Sequence, residues 1–393
     1  MCPHPMLIQR NSPVSMNARL GVRKGRSRMR RWLAAAAAGL TLAGLGSYAF
    51  GTSSGGTPAF VLHQDTVGKR PTPPPFQADC TGQPAALQAE LSRIAANFEG
   101  QVGIAITKAG CDWLVGERLD QHFPQQSVSK LWVSMSVLDA VDSGRMKLDQ
   151  QIQIRPEDLT LFNQPLQWEV LDKGGIERPV KLLMQNALSL SDNTANDRLL
   201  WTVGGPDHIR AFLKSREIDG IRFGPGERLL QSAAAGLTWS PELAAGRNFE
   251  QARARLPKEV REAALAKYVA DPMDGATPAG MAKALARLAK GELLSEESTR
   301  LLLETMGKSR SGPMRLKAGL PSGWHAFHKT GTGQELGSLA TGYNDVAVVQ
   351  APDGSYYGVA VLIGQTHQPI HARMEMMQSV SAALARWHDT KTS

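Results

Sequence analysis

From about residue 85 onward the chain switches between two hydrophobic periods. Leu87, Leu91, Ile94 and Ala95 recur at helical spacing and predict a helix over about 85–98. Val102, Ile104 and Ile106 then alternate, which predicts a strand over about 101–107, with a second over 112–117 after the turn at Ala109-Gly110. A long helical stretch follows, with helices expected over 128–142, 180–189, 195–202, 206–215, 278–290 and 295–306. Thr277-Pro278 and Ser295-Glu296-Glu297 are helix starts, offering a side-chain cap followed by proline or acids in the first turn. Period two returns at 325–332, 345–350 and 356–363, the last two flanking the turn Pro352-Asp353-Gly354. A final helix over 374–387 carries Met374, Met376 and Met377 toward a core. Strands at both chain ends around a helical middle predict an α+β fold. One antiparallel sheet is built from the two ends and packed with helices, and an all-helical lobe is inserted between them.

Before residue 85 the pattern is different. Residues 32–50 are uncharged and mostly apolar, and follow a head holding eight arginines and lysines between Arg10 and Arg31. A cationic flank, an apolar run, and Ser47 and Ala49 at small-residue positions describe an export signal cleaved after Ala49. The same length also suits a retained membrane anchor. Either places the mature protein outside the cytoplasm, in the periplasm. Residues 50–80 are rich in Gly, Ser, Thr and Pro, and read as a linker. The catalytic domain is expected over 81–393.

Charge then removes one partner. The net charge is +8, which invites a nucleic-acid reading. Taking the eight basic residues of the head from the chain's 44 leaves 36, equal to the 36 acidic ones. The body is neutral, so no nucleic acid is expected.

Of three cysteines, only Cys80 and Cys111 lie beyond the head. A helix rising about 1.5 Å per residue and a returning strand at about 3.3 Å bring the chain back to its starting end. The two sulfurs can meet there as a disulfide in an oxidising compartment, the alternative being two free thiols. No metal or cofactor is expected. His325 and His328 alternate along a strand and read as lining the sheet.

Three short motifs carry chemistry. Ser127-Val128-Ser129-Lys130 opens the first long helix, so Ser127 and Lys130 share a face in the turn where unpaired N–H groups gather. Roughly one such S-x-x-K arises by chance in a chain of this length, so alone it decides nothing. Ser191-Asp192-Asn193 follows an apolar helix, and Lys329-Thr330-Gly331-Thr332-Gly333 lies on a strand, with glycines that allow close backbone approach. The three in this order, on helix start, turn and strand, make coincidence untenable.

Together they resemble the Ser-x-x-Lys, Ser-Asp-Asn and Lys-Thr-Gly set of class A β-lactamases and penicillin-binding proteins. The resemblance to class A β-lactamases runs from about residue 81 to the C-terminus. Gly204-Gly205-Pro206, Glu227-Arg228-Leu229-Leu230-Gln231, Asp274-Gly275-Ala276-Thr277-Pro278 and Arg315-Leu316-Lys317 with Trp324 extend it. The resemblance implies that Ser127 is the acylated nucleophile, that Lys130 deprotonates it, and that Ser191 relays a proton to the lactam nitrogen. It gives Asn193 the substrate's side-chain amide. Lys329, Thr330 and Arg315 receive the substrate carboxylate, beside Gly331, and the N–H groups of Ser127 and Thr332 form the oxyanion hole. Glu227 is the base for the hydrolytic water, which Gln231 helps to fix.

Three departures fall on the last step. Gln231 stands where the family has the shorter asparagine. Pro225 stands where the family has an arginine paired with the aspartate at Asp274, so that brace is missing. Asp274 lies 47 positions after Glu227, where the family has a short loop. The excess, about 232–270, reads as added helices. The implied function is a monomeric, exported serine β-lactamase. A penicillin-binding peptidase or acyl hydrolase acting on cell-wall peptides is the alternative, and a non-catalytic wall-binding module is a third reading.

Overall fold

The computed structural model describes Cys80, residues 84–162 and residues 164–392. The basic head, the apolar stretch 32–50 and the linker up to residue 79 lie outside the described residues, and with them the expected signal and its cleavage site. Among the described residues no helix is long and apolar enough to cross a membrane.

The sheet follows from strands with apolar residues on both faces. Its order is Val115–Glu117, Gln101–Lys108, Tyr356–Thr366, Leu339–Gln350, His325–Gly331, with Glu335–Leu336 also pairing with Leu339–Gln350. The pairings are antiparallel, with Ile104 opposite Val361 and Lys329 opposite Val346. Successive residues point to opposite faces. Val359, Val361 and Ile363 therefore join one core, with Met377 and Leu384 of the last helix, Ile370–Thr392. Ala360 and Leu362 join the other, against the helical lobe. Fully burying one such Val, Leu or Ile contributes about 1.5–3 kcal/mol. The strand Leu339–Gln350 is twice the length that alternation predicts. Its first half, Ala340-Thr341-Gly342-Tyr343-Asn344, is held by ladder bonds on both sides rather than by apolar pattern.

The helix Lys130–Asp142 runs through the lobe and is buried from Lys130 to Leu138. The expected helix at 180–189 is an α-helix only over Val180–Gln185 and continues as a π-helical turn, Asn186–Leu190. Such turns concentrate at functional sites, and this one delivers Ser191. Unanticipated elements include the helices Gln167–Lys173 and Glu227–Ala235. Two small sheets were also unforeseen, Phe123–Pro124 with Gly275–Ala276 and Gln151–Ile154 with Ile176–Pro179. The extra segment forms the 3₁₀ turn Pro241–Ala244 and the helices Asn248–Arg255 and Lys258–Ala270. They pack through small satellite clusters, one made of Leu230, Ala234, Leu265 and Tyr268. Cys80 and Cys111 stand at one end of the first helix–strand pair, bonded, with Cα atoms 5.5 Å apart.

Candidate active site

Ser127 lies in a 3₁₀ turn, Gln126–Ser129, that feeds directly into the helix Lys130–Asp142, rather than in the helix itself. Gln126 has φ of 55°, a left-handed conformation that costs a non-glycine residue about 1–2 kcal/mol. The turn is pinned from the sheet: Asn344 Nδ2 donates to the carbonyls of Pro124 at 2.7 Å and Gln125 at 3.1 Å. Gly331 must be glycine here, because a Cβ would stand 2.4 Å from the Gln125 carbonyl.

Lys130 Nζ lies 2.9 Å from Ser127 Oγ. It also donates to Ser191 O at 3.1 Å, Ser191 Oγ at 3.3 Å and, more closely, Asn193 Oδ1. Its charge partner is Glu227, with Oε1 at 3.5 Å and both side chains buried. Ser191 ends the π-turn at φ of 58°, and Asp192 caps the following helix by accepting from Ala195 N at 2.9 Å. The Ser191 hydroxyl is thereby set between two lysines, since Lys329 Nζ donates to it at 3.0 Å. Lys329 is fully buried, and burial first, then the nearby Lys130 and Arg315 charges, hold its ammonium well below the ordinary lysine value.

Arg315 was expected on the substrate carboxylate, yet it is buried and mostly spent on the protein. Its Nη1 donates to Gly331 O at 2.9 Å and Asn344 O at 2.6 Å, and its guanidinium stacks on Tyr343 at 3.8 Å. Its Nη2 donates to Thr332 Oγ1, on the cavity wall, at 2.7 Å. Thr330 Oγ1 meets Ser311 Oγ at 2.8 Å. A cavity of about 550 Å³ opens over these groups, bounded by Ser127, Ser191, Asn193, Glu227, Gln231 and Thr332.

Glu227 starts the helix Glu227–Ala235, and Gln231 is one turn on, so both face the cavity. Gln231 Nε2 reaches Glu227 Oε2 at 3.3 Å and Gln126 Oε1 at 2.8 Å. Gln334 Nε2 braces Gln231 at its carbonyl, 2.8 Å, and at Oε1, 3.2 Å. Glu227 Oε1 accepts no hydrogen bond from a described group. In place of the missing arginine, Tyr268 from the added helix donates its hydroxyl to Asp274 Oδ1 at 2.9 Å, while Gln126 N–H donates to Oδ2 at 2.9 Å. Burial first, and Glu227 after it, push the Asp274 carboxyl up to about 6.

Sequence reading missed several of these. Asp197 stands one turn after Asn193, accepts from Glu227 N–H at 3.2 Å, and is pushed up to about 6 by burial and then by Glu227. The i,i+4 spacing from Asn193 was the available signal. Gln126, Tyr268, Gln334 and Arg253, which donates to Glu335 O at 2.9 Å on the cavity rim, had none. The two histidines split: His328 is buried, with Nδ1 3.0 Å from Asp345, whereas His325 at the strand's start is exposed and does not line the core.

Residues 86–387 match the family model described as the β-lactamase enzyme family. Curated relatives include β-lactamase VEB-1 of Pseudomonas aeruginosa, 24% identical over 300 residues, covering 75% of this chain and 88% of the relative. Toho-1 of Escherichia coli is 26% identical over 304 residues, covering 77% and 88%. A solved ancestral class A β-lactamase superposes with a TM-score of 0.59 at 28% identity, covering 76% of this chain and 99% of that one. Fold, family model and relatives converge: this chain belongs to the β-lactamase enzyme family.

Proposed function

We propose that this serine β-lactamase works through an acyl-enzyme on Ser127, and that it does so outside the cytoplasm. The observation that carries the proposal is the buried Lys130, its Nζ 2.9 Å from Ser127 Oγ and 3.5 Å from Glu227 Oε1, behind the Ser127, Ser191 and Glu227 side chains that line the cavity. In acylation Lys130 Nζ first hands a proton to Glu227, and as Ser127 Oγ bonds to the lactam carbonyl carbon its proton passes to the Lys130 amine. The carbon–nitrogen bond breaks, and Ser191 delivers a proton to the departing nitrogen while taking one from Lys130, which recovers its own from Glu227. Lys329, 3.0 Å from Ser191 Oγ, stabilises that transfer and attracts the substrate carboxylate. The N–H groups of Ser127 and Thr332 take the oxyanion.

In deacylation the Glu227 carboxylate takes a proton from water as the water oxygen attacks the ester carbonyl, and the bond to Ser127 Oγ breaks as that oxygen regains a proton from Lys130, which recovers one from Glu227. A carboxylate so placed favours β-lactam turnover over the alternative of a penicillin-binding peptidase or acyl hydrolase, in which the β-lactam ester would persist. Asn193 and Thr330 complete the substrate contacts, and Arg315 contributes through Thr332 rather than by a direct salt bridge. The basic, apolar N-terminus supports export, with Cys80–Cys111 suited to an oxidising compartment. Intact-mass spectrometry with a slowly hydrolysed penicillin tests the core of the proposal. The wild type gains one β-lactam mass and Ser127→Ala gains none. An unmodified wild type at saturating penicillin would contradict it.

A further inference from the structure

The segment added between Glu227 and Asp274 does more than fill space. Its helix Lys258–Ala270 sends Tyr268 into the core beside the catalytic turn, where it is buried. There its hydroxyl makes two hydrogen bonds of opposite sense, donating to Asp274 Oδ1 at 2.9 Å and accepting from Gln126 Nε2 at 2.8 Å.

The sense of each bond is forced. An ionised carboxylate only accepts, so the single phenolic proton goes to Asp274. The phenol oxygen can then only accept, which obliges Gln126 to turn its NH₂ toward it. The Gln126 carbonyl must in consequence face the other way, where it accepts from Gln231 Nε2 at 2.8 Å. That obliges Gln231 to present its own NH₂ on this side. The second hydrogen of that group points to Glu227 Oε2 at 3.3 Å, and Gln231 Oε1 is left for Gln334 Nε2 at 3.2 Å. Two amides that could each sit either way round are thus locked by one phenol. Glu227 ends with Oε2 held by Gln231 and Oε1 facing Lys130 Nζ at 3.5 Å, beside the cavity.

We infer that Tyr268 is a positioning residue for deacylation, fixing the orientation of the Gln126 and Gln231 amides and through them the Glu227 carboxylate. This rests on Glu227 being the deacylating base. It gives the inserted helix a function that the missing arginine at Pro225 would otherwise leave vacant. Without the hydroxyl, Gln126 can flip, its NH₂ meets the NH₂ of Gln231, and Gln231 must turn away from Glu227. A misplacement of roughly 1 Å at the reacting water costs about a hundredfold.

The test is Tyr268→Phe in the full mature protein, which keeps the ring in its cluster with Leu230 and Leu265 and removes only the hydroxyl. Formation and decay of the Ser127 adduct are followed separately by rapid-quench mass spectrometry. The adduct lifetime should lengthen about ten- to a hundredfold, while the acylation rate stays within about twofold. A purely structural residue would lower the melting temperature without splitting the two steps. Gln126→Met interrupts the same chain one link on, so it should lengthen the lifetime similarly, and the double variant should match the singles rather than multiply them. Unchanged lifetimes in both single variants, or equal losses in both steps, would overturn the inference. If Tyr268→Phe does not fold, Gln126→Met decides alone by the same split. A wild type that forms no adduct would overturn the function itself; a normal wild type beside unaffected variants overturns only the role of Tyr268.

Discussion

The two halves of the cavity are built from opposite materials. Around Ser127 the groups are charged and close: two buried lysines, Lys130 and Lys329, bracket the Ser191 hydroxyl at 3.3 and 3.0 Å. Around Glu227 the carboxylate shares Lys130 with that half through Oε1, while its Oε2 is held by the neutral Gln231 amide, which Gln126 orients with a phenol behind it. Two further buried carboxyls, Asp197 and Asp274, lie close by. Charges in a low-dielectric site act over distance and tolerate small errors of placement. Amides act through direction, and a flipped amide reverses its effect. The acylation half should therefore fail only when a charged or nucleophilic atom is removed. The deacylation half should be sensitive to any change that lets an amide turn.

The largest expected effect is at Ser127. Ser127→Ala should abolish the covalent adduct, read by intact mass, whereas persistence of the adduct would put the nucleophile elsewhere. Next is Glu227→Ala, which should slow release of the acyl group by about 10²- to 10⁴-fold while slowing its formation much less. Equal slowing of both steps, seen in single-turnover rates, would erase the division between the halves.

Arg315→Ala sharpens the boundary on the strand. Because Nη1 serves two backbone carbonyls, its loss should cost stability on the order of 3 kcal/mol, visible in denaturant midpoints. A variant with native stability and only a raised KM would return Arg315 to direct substrate binding.

The smallest effect is a pH dependence. The Asp197 carboxyl sits at about 6 in the fold against an ordinary 3.8. A raised folded value means that the native state is favoured while this group is protonated, and that this stability is lost as pH rises from about 4 through 6. Asp197→Asn keeps an acceptor for Glu227 N–H and removes the titration. Its melting temperature relative to wild type should therefore climb between pH 4 and 7, by a free energy on the order of 2 kcal/mol. A constant offset across that range would contradict the assignment.

What could be read from sequence follows the same division. Ser127 and Lys130 are three residues apart, Ser191 and Asn193 two, and Lys329 to Thr332 are contiguous, so local geometry alone groups each set. The sheet and most helices were legible because their apolar residues keep one period. The π-turn before Ser191 was not, since its sequence continues a helical pattern, and the first half of Leu339–Gln350 was not, since its partners rather than its side chains make it a strand. Gln126 meets Gln231 across 105 residues and Tyr268 across 142. No local period links them. Arg315 shows the converse: its place beside the cavity follows from the resemblance, but the backbone carbonyls of Gly331 and Asn344 that compete with a substrate for its donors do not.

Gln231 is one methylene longer than the asparagine it replaces, and its NH₂ is shared between Gln126 and Glu227, so the proposed deacylation depends on a longer relay of amides than the groups around Ser127 require. The most direct measurement is the fraction of wild-type enzyme carrying the acyl group during steady turnover of a chromogenic cephalosporin, read by quenched mass spectrometry. With acylation faster than release, most of the enzyme should be found as the Ser127 adduct, and Glu227→Ala should lengthen the life of that adduct. A wild type that remains free throughout turnover, with an adduct lifetime indifferent to Glu227, would contradict the account.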